Sequence, residues 1–273
     1  MRTKSVSYLF EDISIVSKKY PLTFIKFHDD VFGVSTEWLT EFTDRYPKEI
    51  GLPFVCYARP KMITEEYCQQ LKKAGCYSVI MGVESGNEQL RNVILHRNLS
   101  DEQILSAAEN LKSVGIRVYT NNMVGLPGET EKEIFETIEI NQRARIDFAH
   151  ASIFQPYPGT NITEYCKRNG FLDGSAKNVE GQFTVSILNF DSDFKAKIYI
   201  LQKLFTVLVD YPKLRLLTGL LYKIEGRWFA FILNFVYRFY YGFYVHKRIY
   251  TSQISFKLCI RGAFHLFFSK NRT

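Results

Sequence analysis

Apolar positions along this chain switch repeatedly between a helical and a strand period. In residues 5–18, Val6, Leu9, Phe10, Ile13 and Val16 fall on one helical face. Residues 24–27 then read as a short strand that breaks into His28, Asp29 and Asp30, and residues 35–45 as a helix. The alternation continues with strands at 54–57, 77–81, 116–120 and 148–154, and with helices at 64–74, 100–115, after Thr130 and up to Gly170. Ser100 with Gln103, and Thr130 with Glu133, have the spacing of capping boxes that open helices. One helix followed by five βα units implies an α/β fold with a parallel sheet and right-handed crossovers. A helical start is odd for such a fold, because each helix packs on the strand before it. The expectation is an incomplete parallel (β/α)6 TIM-type barrel with its first strand missing, which makes the chain either a late start or a fragment. Residues 1–175 form the partial barrel, and residues 176–273 a connector with a helix at 193–209 followed by a helical C-terminal region.

Chemistry in β/α barrels sits at the C-terminal ends of the strands. Those ends carry His28, Asp29 and Asp30; Arg59; Glu84 and Ser85; Asn121 and Asn122; and Gln155 and Tyr157. Each has an ordinary alternative: Asp29 or Asp30 capping a turn, Glu84 pairing with Arg59, Asn121 bonding a loop. Five polar strand ends in succession point instead to one convergent ligand site. The turn Gly125-Leu126-Pro127-Gly128 leaves a strand and enters a helix, so its backbone amides face the mouth at a positive helix end. It lacks the Gly-Lys-Ser/Thr ending of a Walker loop.

The strings FIKFHDDVF (24–32), GVESGNEQLRNVILHRNLS (82–100), MVGLPGET (123–130) and SIFQPYPGT (152–160) together resemble the barrel of radical S-adenosylmethionine (radical SAM) enzymes. The likeness is to the group with a cobalamin-binding domain ahead of the barrel. It covers residues 2–175, and it implies methyl transfer, ring closure or skeletal rearrangement on a small-molecule substrate of unknown class. It also implies roles for single residues. Asp29 and Asp30 lie beside the methionyl amino group of S-adenosylmethionine, and Phe32 helps shape that pocket. Glu84 and Ser85 contact the ribose or the amino acid end of the cofactor. Arg97 meets its carboxylate, with helix capping as the alternative. Val124, Gly125 and Leu126 pack along adenine, and Gln155 and Tyr157 face adenine or substrate.

The resemblance also implies a four-iron, four-sulfur cluster on three thiolates in a CxxxCxxC motif, and a cobalamin partner. The five cysteines, Cys56, Cys68, Cys76, Cys166 and Cys259, contain no such motif. The expected metal ligands are therefore none, and neither cluster nor cobalamin is bindable by motifs of this chain. The isolated chain is expected to make no 5′-deoxyadenosine. Three readings stay open: a fragment of a radical enzyme, half of a split enzyme whose N-terminal cluster and cobalamin portion is separate, or a non-catalytic binding or assembly protein on a degenerate barrel.

Charge alters the picture only at the end of the chain. Residues 211–273 hold eleven Lys or Arg against the single acid Glu225, so the net charge of +7 divides into +10 there and −3 before it. The segment WFAFILNFVYRFYYGFYV (228–245) is short for a bilayer span and carries Arg238. It reads either as an interfacial helix on an anionic membrane surface or as an extension whose aromatic residues pack on the barrel. No recognisable nucleic-acid module accompanies the basic residues. The first residues form no apolar leader, so the expected location is cytoplasmic, peripheral at the inner face of the membrane.

Overall fold

The computed structural model describes residues 4–173, 185–224 and 226–251. Its body is a five-stranded parallel sheet in the order β1-β2-β3-β4-β5. After α1 (Val6–Ser17), the chain runs through β1 (Ile25–Lys26), α2 (Thr36–Glu49), β2 (Phe54–Tyr57), α3 (Glu65–Lys73) and β3 (Cys76–Glu84). It continues through α4 (Asp101–Ser113), β4 (Arg117–Val124), α5 (Glu131–Arg143), β5 (Phe148–Ile153) and α6 (Asn161–Arg168). The C-terminal part holds α7 (Ser192–Asp210), the short α8 (Thr218–Leu221) and α9 (Arg227–Arg248). This is the anticipated α/β half-barrel, and both capping boxes form.

Strand alternation divides the sheet into two faces. Phe54, Cys56, Val79, Met81, Val118, Val124, Ala149, Ala151 and Ile153 join the main core with α2–α5. At one end, Phe10, Phe27, Phe32, Phe42, Tyr46 and Phe54 interlock, with ring centroids 4.6–6.3 Å apart. Phe10 is how α1 contributes, packing edge-on to Phe42 and Tyr46.

Helix α7, within the segment read as a connector, lies along the edge strand β5 and shares the main core through Ile198, Leu201 and Phe205. The Gln202 amide and the Thr206 hydroxyl donate to the Ala151 and Ala149 carbonyls at 2.9 and 2.7 Å. These bonds satisfy carbonyls that a further strand would otherwise have to meet.

Helix α9 covers the opposite, concave face. Val245 and Ile249 pack with Val55, Ile80, Tyr119 and Phe148, and Tyr241 meets the Phe148 ring edge-on at 5.5 Å. The Ser78 hydroxyl donates to the Ile249 carbonyl, and Arg248 donates to the Asp147 carbonyl and pairs with Asp210. Of the two readings of this aromatic segment, packing on the barrel is the one observed for its C-terminal half. No described helix is long and apolar enough to cross a membrane.

Candidate functional site

β3 ends at Glu84, a non-glycine residue in the left-handed region at φ 67°. That conformation is costly for a side-chain-bearing residue and is held here by its surroundings. The Glu84 carboxylate lies 3.2 Å from the Arg97 guanidinium, so its partner is Arg97 and not Arg59. A β-carbon on Gly82 would lie 2.3 Å from the Glu84 carboxylate and 2.8 Å from Arg97, so the pair occupies space that only glycine leaves. Burial raises the Glu84 pKa, and the Arg97 charge opposes that shift. Arg97 remains 38% exposed and can turn a face to a ligand.

Arg97 is presented by a stiff loop. A π-helical turn, Leu90–Ile94, is followed by His96 and Asn98, both in the left-handed region. The fully buried Arg91 holds this loop together. Its guanidinium donates to the carbonyls of Leu99 and Ser85 at 2.7 and 2.8 Å and pairs with Asp101 at 2.8 Å. Asn92 exchanges two further hydrogen bonds with the Leu99 backbone. At the start of the loop, Gly86 donates to the Thr137 hydroxyl, and its α-carbon faces the backbone of α5.

The structure separates residues that the sequence groups. Asn121 sits on the concave face, but its neighbour Asn122 points toward α5. There Asn122 accepts from the Asn141 amide at 2.8 Å and donates to the His150 carbonyl at 2.9 Å. Ser85 is fully buried, with its hydroxyl accepting from the Asn87 amide. Phe32 lies in the aromatic core, while Asp29 and Asp30 are exposed at the end of β1. Val124 and Leu126 are buried, and Tyr157 is half exposed. Gln155 is 5% exposed and donates to the Val185 carbonyl, leaving its buried oxygen without a partner among the described residues. Deeper on β5, burial and the Lys203 charge push His150 down to about 4, so its imidazole is neutral near pH 7.

Glu129 is a residue that sequence reasoning passed over, although it stands inside the MVGLPGET string. Its buried carboxylate accepts from the backbone amides of Gly125 and Leu126, folding the turn back on itself. Burial raises its pKa to about 8 despite those two bonds. A folded-state value above the unfolded one means stability that is complete below about pH 4.5 and is lost as pH rises toward 8, by up to about 1.4 kcal/mol per unit. Glu129→Gln should therefore unfold at a midpoint that changes less between pH 5 and pH 8 than the wild type. Parallel pH curves in denaturant titration would show that Glu129 is not neutralised on folding.

Residues 17–140 match the family described as the radical SAM superfamily. The chain is 28% identical over 172 residues to the uncharacterized methyltransferase PH0819 of Pyrococcus horikoshii, covering 63% of this chain and 37% of the relative. It is 23% identical over 202 residues to the cytidylyl-2-hydroxyethylphosphonate methyltransferase of Streptomyces wedmorensis, covering 69% and 37%. The chain thus spans less than half the length of these relatives. Among solved structures, the radical S-adenosylmethionine methyltransferase TsrM of Kitasatospora setae, with cobalamin and a [4Fe-4S] cluster bound, superposes with a TM-score of 0.60 at 14% identity. That match covers 97% of this chain and 56% of TsrM. The cobalamin-dependent radical enzyme OxsB gives a TM-score of 0.53 at 14% identity, covering 98% and 50%. These likenesses are of fold.

Proposed function

Because residues 17–140 are a radical SAM superfamily domain on a five-stranded half-barrel, we propose that this chain supplies the S-adenosylmethionine-binding side of a cobalamin-associated methyl-transferring enzyme. The observation that carries the reading is the Glu84–Arg97 pair over Gly82 at the strand ends. The unpartnered buried oxygen of Gln155, on the last strand's exit, adds to it. These groups suit the cofactor: the half-exposed guanidinium can hold a carboxylate in a forked geometry, and the Glu84 carboxylate can accept from ribose hydroxyls. The backbone from Val124 to Leu126 offers a flat surface for adenine, its Gly125 and Leu126 amides being taken up by the Glu129 carboxylate that braces the turn. The exposed Asp29 and Asp30 suit an ammonium group, and Gln155 and Tyr157 take the remaining edge of adenine or the substrate. S-adenosylmethionine supplies a sulfonium-activated methyl group and the 5′-deoxyadenosyl carbon. The names of the two relatives favour methyl transfer over ring closure or rearrangement.

An iron–sulfur cluster does not fit the thiols described here. Cys56, Cys68, Cys76 and Cys166 are all buried, and burial raises the pKa values of Cys56, Cys68 and Cys166. A cluster needs thiolates facing an open mouth. No group of three or more metal-binding side chains exists among the described residues. No radical-generating step is therefore assigned to these residues; any cluster would come from outside them. The same observation favours a second reading, a binding or assembly protein on this barrel. Formation of 5′-deoxyadenosine by the full chain would exclude that alternative.

Thermal unfolding with added ligand tests the cradle. A ligand at a hundred times its Kd stabilises by about 2.7 kcal/mol, a shift of several degrees. S-adenosylmethionine should raise the midpoint of the wild type and barely raise that of Arg97→Ala. 5′-Methylthioadenosine, which lacks the amino acid end, should shift both proteins equally. If Arg97→Ala responds to both ligands as the wild type does, Arg97 is not the carboxylate anchor.

A further inference from the structure

The C-terminal half of α9 is spent on the barrel, but the segment just before it is not. From Tyr211 to Leu217 every residue is exposed, and no side chain of the 3-10 turn Pro212–Leu217 is buried. Leu216 is 85% exposed, Leu220 61%, Trp228 60% and Leu217 47%. Large exposed apolar side chains gathered in one short segment mark an interaction surface. Its surroundings are cationic. Lys213, Lys223 and Arg227 are exposed around it, and Arg215 pairs with Glu139 at its edge. Over residues 211–251 the sequence has seven Lys or Arg and one acid. A cleft of about 670 Å³ is walled by Ile200, Tyr222, Ile224, Phe229 and Leu233, with Asp193, Lys195 and Lys197 also on its lining.

We propose that the exposed face formed by Leu216, Leu217, Leu220 and Trp228, with Lys213, Lys223 and Arg227 at its rim, docks on an anionic lipid bilayer. Leucines and a tryptophan enter the boundary between headgroups and acyl chains, and the surrounding ammonium and guanidinium groups pair with lipid phosphates. A protein partner of matching shape would need acidic groups facing this same rim; a bilayer supplies both chemistries without any further requirement. The surface differs from the helix that the sequence suggested, because Tyr237 and Tyr241 of α9 face His150 and Phe148 of the sheet.

The test is co-sedimentation of the full chain with phosphatidylcholine vesicles, with and without phosphatidylglycerol. Binding is expected only with phosphatidylglycerol, with a blue shift of tryptophan emission that Trp228→Phe removes while Trp38 stays. The double variant Leu216→Glu with Leu220→Glu, both at exposed positions, should abolish sedimentation. Lys213→Gln with Lys223→Gln should weaken it roughly thirtyfold, as should raised salt. Wild-type protein that stays in the supernatant with both lipids overturns the proposal. So does sedimentation indifferent to the leucine pair, or a dimer in ultracentrifugation that the leucine variant disperses while vesicles bind neither protein.

Discussion

Gly86→Ala is expected to lower the unfolding midpoint by about 10 °C or more, or to prevent folding, whereas Gly82→Ala should leave the midpoint within a few degrees of wild type. The two glycines stand four residues apart at the same strand end, and the difference is in what a β-carbon would meet. At Gly86 it would lie 2.2 Å from the Glu136 carbonyl oxygen and 2.6 Å from the Thr137 α-carbon, both backbone atoms of α5. Helix α5 cannot retreat, because Ile134 and Ile138 are buried in the main core. At Gly82 the atoms in the way are the ends of the Glu84 and Arg97 side chains, which can swing aside. Gly82→Ala should thus remain folded and lose the cofactor cradle. Thermal denaturation of both variants, followed by ligand titration of the folded one, checks the pair. Equal destabilisation by the two substitutions would show that Gly82 serves packing and not the site.

Arg91→Met should cost about 3–5 kcal/mol, because it strips a fully buried cation from partners that stay behind. The carbonyls of Leu99 and Ser85 and the carboxylate of Asp101 would each lose a hydrogen bond. Lysine cannot restore them, since one ammonium cannot reach three acceptors spread around a planar fork. The loop that presents Arg97 would loosen, so any Arg91→Met protein that folds should bind S-adenosylmethionine as weakly as Arg97→Ala does. Denaturant unfolding gives the first number and titration the second. Normal cofactor binding by a destabilised Arg91→Met would show that the loop keeps its shape without this arginine.

The parts of this molecule legible in the sequence are those governed by local chemistry. Capping boxes at Ser100 and Thr130 form as their spacing requires, and the five strands stand where the apolar runs place them. The strand-end Glu84 is met by Arg97, thirteen positions on in the following loop, and not by Arg59. What stayed hidden depends on contacts between distant segments. Asn121 and Asn122 look alike in sequence, and only the pleat of β4 sends one to the concave face and the other to Asn141. Arg91 lies in a stretch that the sequence assigns to no element, with nothing local to show that Leu99 and Ser85 would surround it. The aromatic run of α9 fits lipid and protein equally well by composition; for its C-terminal half, Phe148, Tyr119 and Ile80 decide for protein by packing with Tyr241 and Val245. Leu216 and Leu220 do not stand out in the basic tail, because their exposure is a property of the folded surface.

In the function proposed above, the strand ends of this half-barrel hold S-adenosylmethionine by its carboxylate at Arg97. Anaerobic calorimetric titration of the purified chain with S-adenosylmethionine, beside Arg97→Ala, tests it most directly. The wild type should give saturable heat at one site per chain, and the variant should lose it. No heat with the wild type, or the same isotherm from both proteins, would contradict it.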